Sequence, residues 1–329
     1  MPPLLSIRNL AASFHTEEGV LRAVDGVSFD IPAGKCVGLV GESGCGKSVT
    51  AMSIVRLLPQ PAGRIEEGSI LFDGLDLVQA PLEDMYRVRG GEIGVIFQEP
   101  MTALNPVHTI GRQIAESLTL HRKLPPREAE AKALALLRRV NIPSPEARLR
   151  EYPHQLSGGM RQRVVVAIAL ACRPRLIIAD EPTTALDVTV QAQILDLIRG
   201  MREESGASCL LITHDMGVIA QNCDEVVVMY AGRVVERAPV AELFAHPRHA
   251  YTRGLLDSVP RMEAARKTRL PAIPGHVAPI GEFAPGCRFC QRLGRTGPTL
   301  LQRPSFIELT PGHWAENCPL CVDQPPGKS

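Results

Sequence analysis

The sequence predicts an α/β fold built on a parallel sheet with helices between its strands. Short apolar runs, each ending in polar residues or glycine, indicate strands buried on both faces at residues 35–40, 176–180 and 209–215. Helical patterns follow two of these runs, at 48–58 and 190–201. This alternation is typical of a doubly wound α/β core.

Three further segments depart from that alternation. Residues 225–238 carry two β-rich runs around Ala231 and Gly232 and predict a β-hairpin. Between about 100 and 155 the β signal fades and apolar residues keep helical spacing, which predicts a helical subdomain inserted into the core. Twelve of the 28 prolines lie after residue 243, so long regular elements are not expected there. We therefore predict a domain at 1–245 and a C-terminal extension at 246–329.

The composition disfavours a nucleic-acid partner and export. Lys and Arg total 36 against 35 Asp and Glu, and aromatic residues make up only 4% of the chain, so neither a basic surface nor stacking platforms are expected. The first ten residues lack the features of a signal peptide, and the apolar runs fall short of the ~18–20 residues of a membrane span. We expect a reducing compartment, in which the nine cysteines are thiols or ligands.

A phosphate-binding loop is predicted at 41–48, GESGCGKS, which fits G-x-x-x-x-G-K-[ST] between a strand and a helix. The glycines let backbone N–H groups converge on phosphate oxygens, and the helix N-terminus adds its positive dipole end. Lys47 is expected to reach the β- and γ-phosphates, and the Ser48 hydroxyl to bind Mg²⁺. The predicted phosphate-binding residues are Gly41, Ser43, Gly44, Cys45, Gly46, Lys47, Ser48 and Val49.

Cys45 also lies near a helix N-terminus, where the pKa of a thiol tends to fall. Its oxidation is therefore a candidate way of blocking nucleotide binding.

Polar residues at other strand ends predict a metal and water site. Asp180 and Glu181 follow a buried strand, and adjacent side chains on a strand diverge, so we expect Asp180 to support Mg²⁺ and Glu181 to deprotonate an attacking water. Gln98 is expected to contact Mg²⁺ and the water, and His214 to donate a hydrogen bond to the γ-phosphate. Taken singly, the carboxylates also fit a solvated pair, and His214 fits an ordinary hydrogen-bonded residue.

A second anion-binding pattern occurs at 156–163, LSGGMRQR. Arg161 and Arg163 fall in the first turn of a predicted helix, where the macrodipole disfavours cations and favours anions. Something negative is expected to compensate, although a capped helix with solvated arginines is an alternative.

Six motifs occur along the chain in the order GESGCGKS, VIFQEP, LSGGMRQR, LIIADEP, ALD at 185–187, and LLITHD. Together they resemble the nucleotide-binding subunits of ATP-binding cassette (ABC) transporters over about the first 245 residues. The resemblance implies a P-loop NTPase core with a RecA-like parallel sheet, an antiparallel β subdomain and an inserted helical subdomain. It also implies Mg²⁺-dependent ATP hydrolysis.

The resemblance implies that the two anion-binding patterns serve two nucleotides in a head-to-tail pair of subunits. Asp187 then lies in the loop that communicates across the pair, and Phe14 stacks on adenine, with a core phenylalanine as the alternative at that position. The signature residues that meet the neighbour's ATP are Ser157, Gly158, Gly159 and Met160.

Three longer segments, beginning at Ile96, Tyr152 and His246, resemble the oligopeptide/dipeptide importer branch and its D-type subunit. This implies peptide uptake, with nickel, glutathione or another small solute as alternatives. It implies a peripheral position on the cytoplasmic face of the inner membrane. The implied partners are a paralogous F-type ATPase, two permeases that contact the helical subdomain, and an extracytoplasmic solute-binding protein. Cassette ATPases of DNA repair or translation are disfavoured, because neither a second cassette nor a long coiled coil is visible.

The extension carries two C-x-x-C pairs, at Cys287 and Cys290 and at Cys318 and Cys321. In a reducing compartment such pairs can bring four thiolates to Zn²⁺ or to a 4Fe–4S cluster. The tails of the resembling branch are often cysteine-rich, but their first two cysteines are usually spaced wider. Free thiols or a single functional C-x-x-C pair are the alternatives.

Overall fold

The computed structural model describes residues 2–184, 186–259 and 272–323 of the 329-residue chain. Two compact units divide the chain. The first unit contains residues 1–30, 36–78 and 213–329, and the second contains 31–35 and 79–212. Within the described residues, no helix is both long enough and apolar enough to cross a membrane.

The strands are β1 (Leu5–Thr16), β2 (Gly19–Ile31), β3 (Cys36–Val40), β4 (Gly63–Phe72), β5 (Leu75–Asp76), β6 (Ile93–Ile96), β7 (Leu176–Asp180), β8 (Ser208–Thr213), β9 (Glu225–Tyr230), β10 (Arg233–Pro239), β11 (Phe306–Thr310) and β12 (His313–Glu316). The α-helices are α1 (Lys47–Ile54), α2 (Leu82–Val88), α3 (Pro100–Ala103), α4 (Ile110–Arg122), α5 (Pro126–Arg139), α6 (Pro145–Arg148), α7 (Gly158–Leu170), α8 (Val188–Ser205), α9 (Met216–Asn222), α10 (Val240–Ala245), α11 (Ala250–Asp257) and α12 (Arg288–Arg292).

An antiparallel sheet in the first unit has the strand order β2-β1-β4-β5. Strands β1 and β4 pair from Leu5 opposite Phe72 to Phe14 opposite Gly63, with register shifts on the way. Apolar side chains on β1 and β2 are buried, including Leu5, Ile7 and Phe29. The antiparallel subdomain implied by the family resemblance is therefore present.

A second set of strands in the first unit has the order β11-β12-β10-β9-β3. Strand β9 pairs in parallel with β3 and antiparallel with β10. Ala231 (φ 46°) and Gly232 (φ 84°) connect β9 to β10, and two central residues with positive φ match the right-handed twist of a tight hairpin. The predicted hairpin is confirmed.

Parallel pairing also joins the strands of the second unit, in the order β6-β7-β8. Every residue of β7 and β8 is buried, as expected for strands covered on both faces. Helix α8 is longer than predicted because Asp187 caps its start and Gly206, at φ 68°, ends it. Helix α1 ends at Ile54, before the predicted 58, where Arg56 turns to φ 51°.

Four helices, α3 to α6, lie within the stretch predicted to be helical. The spacing that predicted them is the spacing of their buried faces: Ala129, Ala133 and Leu137 of α5 are all buried. The interior of this insertion is therefore formed by small and branched apolar side chains.

The extension continues the sheet of the first unit rather than standing apart. Its elements are short, as the prolines predict, but β12 pairs with β10, Glu236 lying opposite Ala315. Tyr251 and Phe289 belong to the same buried core as β9. Residues 260–271 and 324–329 of the predicted extension lie outside the described residues.

Buried arginines surround Asp25 of β2. One carboxylate oxygen of Asp25 accepts hydrogen bonds from Arg233 Nε at 2.9 Å and Arg288 Nη2 at 2.6 Å, and the other pairs with Arg22 Nε at 3.0 Å. Burial alone would raise the pKa of Asp25, but the charges of Arg233, Arg288 and Arg303 lower it. This carboxylate therefore ties β2 to β10 and to α12 of the extension.

We expect Asp25→Asn to destabilise the fold by about 3–5 kcal/mol, because it leaves buried guanidinium groups without their counter-charge. Urea unfolding of the purified chain measures the loss. Asp30→Asn is a matched control, since Asp30 pairs with Arg8 at the surface, where such pairs contribute about 0–1 kcal/mol.

The difference between wild type and Asp25→Asn has a defined pH dependence. Because the folded-state pKa is lowered, the charge stabilises the fold above the ordinary value of 3.8, and this contribution is lost only as the pH falls through the lowered pKa. Equal losses for the Asp25 and Asp30 variants would contradict this role.

Candidate active site

The phosphate loop of the first unit lies between β3 and α1. Gly44 (φ 78°) and Gly46 (φ 102°) take the left-handed conformation that favours glycine. A Cβ on Gly46 would lie 2.8 Å from the Ala23 carbonyl oxygen, and one on Gly41 would overlap the Met229 carbonyl oxygen. Neighbouring backbone therefore requires glycine at both ends of the loop.

Lys47 closes this loop from within. Its side chain is buried, and Nζ donates to the carbonyl oxygens of Gly41 at 2.8 Å and Glu42 at 3.0 Å. Helix α1 begins at Lys47, so its first N–H groups, which have no intrahelical acceptor, belong to residues of the motif. One cation and a helix N-terminus thus lie in the same turn of chain, as an anion site requires.

Cys45 differs from the prediction. The residue is only 5% exposed, and burial raises the pKa of its thiol, opposed in part by the charge of Lys47. The predicted lowering of this pKa was wrong, because burial outweighs the helix N-terminus and the lysine. Oxidation of Cys45 as a way of blocking nucleotide binding loses its physical basis.

The two acidic residues at the end of β7 differ in burial. Asp180 is the last residue of the strand and is 3% exposed, whereas Glu181 is half-buried with φ 43°. A non-glycine residue in that conformation is strained, and such strain clusters at functional sites. The Glu181 carboxylate accepts hydrogen bonds from Gln98 Nε2 at 3.2 Å and Thr184 Oγ1 at 2.9 Å.

The structure therefore brings Gln98 and Glu181 together, and it adds Thr184, which sequence reasoning missed. A hydroxyl three residues after an acidic strand end was the available signal, because Ser and Thr side chains commonly bond to nearby groups in turns. Both donors are neutral, so they orient the Glu181 carboxylate without neutralising its charge.

His214 is exposed and comes directly after β8, at the point where the chain re-enters the first unit. The next residue, Asp215, caps α9 by accepting hydrogen bonds from the N–H groups of Gly217 at 2.7 Å and Val218 at 3.3 Å. These hydrogen bonds fix the backbone conformation of the residue that follows His214.

The signature residues form the exposed N-terminus of α7. Ser157 is its N-cap and accepts from Met160 N–H at 3.4 Å. A Cβ on Gly158 would meet nothing within 4 Å, so no neighbour within the described chain requires glycine there. Gly159 differs, because a Cβ would approach Val190 to 3.1 Å.

The two arginines of this segment bind neutral acceptors. Arg161 Nε donates to the Pro153 carbonyl at 2.7 Å, and Arg163 donates to the Val140 carbonyl at 2.9 Å and to Gln193 Oε1 at 2.7 Å. Their guanidinium groups therefore tie α7 to its surroundings. The part of this segment suited to an anion is the helix N-terminus at 157–160.

Asp187 is the N-cap of α8, with its carboxylate accepting from Val190 N–H at 2.9 Å, and Ala185 of the same motif lies outside the described residues. Phe14, near the end of β1, is half-buried. A fully buried core position is thus excluded for Phe14, and part of its ring is accessible.

The four cysteines of the extension come together in the first unit. All are buried, and their sulfur atoms lie within 4.8 Å of one another. The separations include 3.4 Å for Cys290–Cys321, 3.6 Å for Cys290–Cys318 and 3.7 Å for Cys287–Cys321. Two C-x-x-C pairs thus form one cluster, as predicted.

The electrostatics of this cluster couple its thiols. The hydrogen bond from Cys321 lowers the pKa of Cys287, and the same bond raises the pKa of Cys321, together with burial. Burial raises the pKa of Cys318. Arg295 Nη1 lies 3.7 Å from Cys321 Sγ and 3.9 Å from Cys290 Sγ, so one positive charge already faces the sulfurs. Four thiolates together need more positive charge than Arg295 supplies.

Known protein families match both parts of the chain. Residues 24–184 match the ABC transporter family, and residues 235–295 match the family described as oligopeptide/dipeptide transporter, C-terminal region. A probable peptide ABC transporter ATP-binding protein, y4tR of Sinorhizobium fredii, is 51% identical over 95% of this chain and 93% of its own length. The oligopeptide transport ATP-binding protein OppD of Bacillus subtilis is 46% identical over 98% of this chain and 90% of its own.

Solved structures agree with this assignment. The ATP-binding cassette MJ0796, in a dimeric post-hydrolysis state bound to ADP and Pi, is 27% identical and covers 72% of this chain and 98% of its own, with a TM-score of 0.65. CbiO1 of Clostridium perfringens, part of an ABC transporter complex, is 28% identical over 75% of this chain and 92% of its own, with a TM-score of 0.62. The chain thus belongs to the ATP-binding subunits of ABC transporters, and within them to the oligopeptide/dipeptide transporter group.

Proposed function

We propose that this chain is the ATP-hydrolysing subunit of an importer of dipeptides or oligopeptides. The cassette itself is an ATPase by family, and the proposal concerns its substrate, its partners and the residues that act. The domain boundary at 245 is part of it, with the cassette before and the transporter-specific extension after. The observation that carries the proposal is a complete set of cassette motifs in a chain close to two peptide-transport ATP-binding proteins.

We assign the chemical roles as follows. Residues 41 and 43–49 bind the phosphates, with Lys47 at the β- and γ-phosphates, and Phe14 stacks on adenine. Glu181 takes a proton from the attacking water, since hydrogen bonds from Gln98 and Thr184 orient its carboxylate. His214 donates a hydrogen bond to the γ-phosphate. The magnesium ligands are Ser48, Gln98 and Asp180.

The signature segment acts on the nucleotide of a second subunit. Among the residues that the structure describes, none makes a contact that requires glycine at position 158. A glycine at this position allows a group from outside the chain to approach the backbone closely. Val188, next to Asp187 in the communicating loop, is 82% exposed, as expected of a surface that a partner covers. MJ0796, of the same fold, is described as dimeric.

Two variants separate the roles of the two segments. We expect Glu181→Gln and Ser157→Arg each to bind ATP while losing hydrolysis by at least about 10²-fold. Mixed with its F-type partner in Mg²⁺ and ATP, Glu181→Gln should accumulate a dimer, because both nucleotide contacts remain while water activation is lost. Ser157→Arg should stay monomeric, because the arginine fills the space of the neighbour's phosphate. Light scattering after gel filtration measures the oligomeric state of each variant, and titration with a fluorescent nucleotide measures its ATP binding.

Ser144→Arg is the matched control, since Ser144 is an exposed residue preceding another helix of the same unit. It should behave as wild type. Normal turnover by Glu181→Gln, or loss of ATP binding by the isolated Ser157→Arg subunit, would refute the roles assigned.

The transport assignment predicts a defined membrane complex. Purification through a tag on this chain should recover two permeases, a solute-binding protein and a second, F-type ATPase, attached from the cytoplasmic face. Mass spectrometry of the ligand released from the binding protein should find short peptides. Nickel, glutathione or another small solute in their place would overturn the substrate. A single ATPase species would overturn the heterodimer.

We propose that the cysteine cluster holds one Zn²⁺ through Cys287, Cys290, Cys318 and Cys321. A tetrahedral ion with Zn–S bonds of about 2.3 Å sets its sulfurs about 3.8 Å apart, close to the 3.4–3.7 Å that separate Cys290 from Cys321, Cys290 from Cys318 and Cys287 from Cys321. A 4Fe–4S cluster, in which each thiolate binds a different iron, needs them farther apart. A bound ion would supply the positive charge that four thiolates require and would stabilise a proline-rich segment.

Elemental analysis of anaerobically purified protein should give about one zinc per chain and no acid-labile sulfide. Cys290→Ser should lose the zinc, whereas Cys172→Ser, which removes a buried thiol elsewhere, should retain it. Iron with equimolar sulfide, or a cluster free of metal, would contradict the zinc assignment.

A further inference from the structure

Two side chains of the C-terminal extension hold Glu42, the second residue of the phosphate loop. The backbone N–H of Glu42 donates to the Tyr251 hydroxyl at 2.9 Å. The Glu42 carboxylate pairs with Arg292 Nη1 at 2.5 Å. Tyr251 is fully buried and the Arg292 side chain is 6% exposed, so neither contact is a loose surface pair.

These contacts hold the two peptide units that meet at Glu42. The Tyr251 hydroxyl accepts from the N–H of the Gly41–Glu42 peptide, and Lys47 Nζ donates to the carbonyl of the Glu42–Ser43 peptide at 3.0 Å. The N–H groups that follow, from Ser43 onward, belong to the predicted phosphate ligands. Their direction depends on the peptide that precedes them, because each peptide unit is planar and only two soft dihedrals separate one from the next.

Both extension residues are themselves rigidly held. The Tyr251 ring lies 4.6 Å from the Tyr230 ring and 5.6 Å from the Phe289 ring, in the buried core of the first unit. Arg292 also donates to the Pro274 carbonyl at 3.0 Å, and its guanidinium lies 6.0 Å from the centre of the Tyr230 ring. Tyr251 and Arg292 therefore give Glu42 fixed partners.

The cysteine cluster shares an element with this arrangement. Arg292 is the last residue of α12, the five-residue helix that begins after Cys287 and contains Phe289 and Cys290. The helix that contains Cys290 and is capped by Cys287 thus also orients the arginine that reaches Glu42.

We infer that Tyr251 and Arg292 are positioning residues for ATP binding, through which the C-terminal extension sets the geometry of the phosphate loop. This rests on the proposed phosphate-binding role of residues 41 and 43–49. An ion pair that served only stability would leave ATP affinity unchanged. A pair that orients the loop changes affinity without removing any group that touches the nucleotide.

Equilibrium binding of Mg·ATP to the purified full-length chain tests the inference. We expect Tyr251→Phe, Arg292→Met and Glu42→Gln each to raise the Kd by about tenfold, the effect of one lost hydrogen bond or charged contact. In the assembled complex, kcat at saturating ATP should change by less than about twofold, so that the change appears in KM. Arg292→Lys should recover part of the affinity, since it keeps the charge.

The double variant Glu42→Gln/Arg292→Met should bind ATP as weakly as either single variant, because both remove the same contact. Arg253→Met is the matched control. It removes an arginine of the same extension whose partner, Asp323, is exposed, and it should leave the Kd unchanged.

Lys47→Ala separates the two levels of the proposal. If it binds ATP normally, the proposed phosphate site is wrong. If it loses ATP while folded Tyr251→Phe and Glu42→Gln bind as wild type, the positioning role alone is wrong. Tyr251→Phe removes a single oxygen, and Glu42 is partly exposed, so thermal unfolding should find both variants folded. Additive effects of Glu42→Gln and Arg292→Met would also overturn the inference.

Discussion

A loop that binds phosphate through its backbone N–H groups cannot use those groups to hold its own shape, so its surroundings have to hold it. In this chain the surroundings come from distant segments of one unit. Backbone carbonyls of Ala23 and Met229 crowd Gly46 and Gly41, and Lys47 closes the loop from within. Tyr251 adds a contact from the extension. Strands β2 and β9 and the extension therefore all contribute contacts that hold the phosphate loop of the first unit.

The two glycine-containing segments of the chain meet different demands. Gly41 and Gly46 are required by backbone of the same chain, whereas the space around Gly158 is open. Gly41 and Gly46 are therefore packed against backbone of the first unit. Gly158 is not packed in this way within the described residues, which leaves room there for a group from another molecule. This contrast supports the proposal that the two glycine-containing segments contribute to different nucleotide sites.

Much of this could be predicted from the sequence, because local signals were strong. Buried strands β3, β7 and β8 appeared as apolar runs, and two C-x-x-C pairs were sufficient to predict one cysteine cluster. Strands β1 and β4 carry no clear alternation, because buried residues of β1 occur in runs of three and four, so only the family resemblance indicated their sheet. The pKa of Cys45 depends on burial, which neighbouring letters do not reveal. The contacts of Glu42 join residues 209 and 250 positions apart, beyond any periodic or motif signal.

The claim on which the account depends is that each subunit completes its neighbour's nucleotide site. The most direct measurement is the ATPase rate per chain of the purified pair of ATPase subunits over a dilution series, with the mass of the species followed by light scattering at each concentration. The account predicts that the rate per chain falls as the subunits separate and approaches zero for single chains. A constant rate per chain in samples that contain only monomers would contradict it.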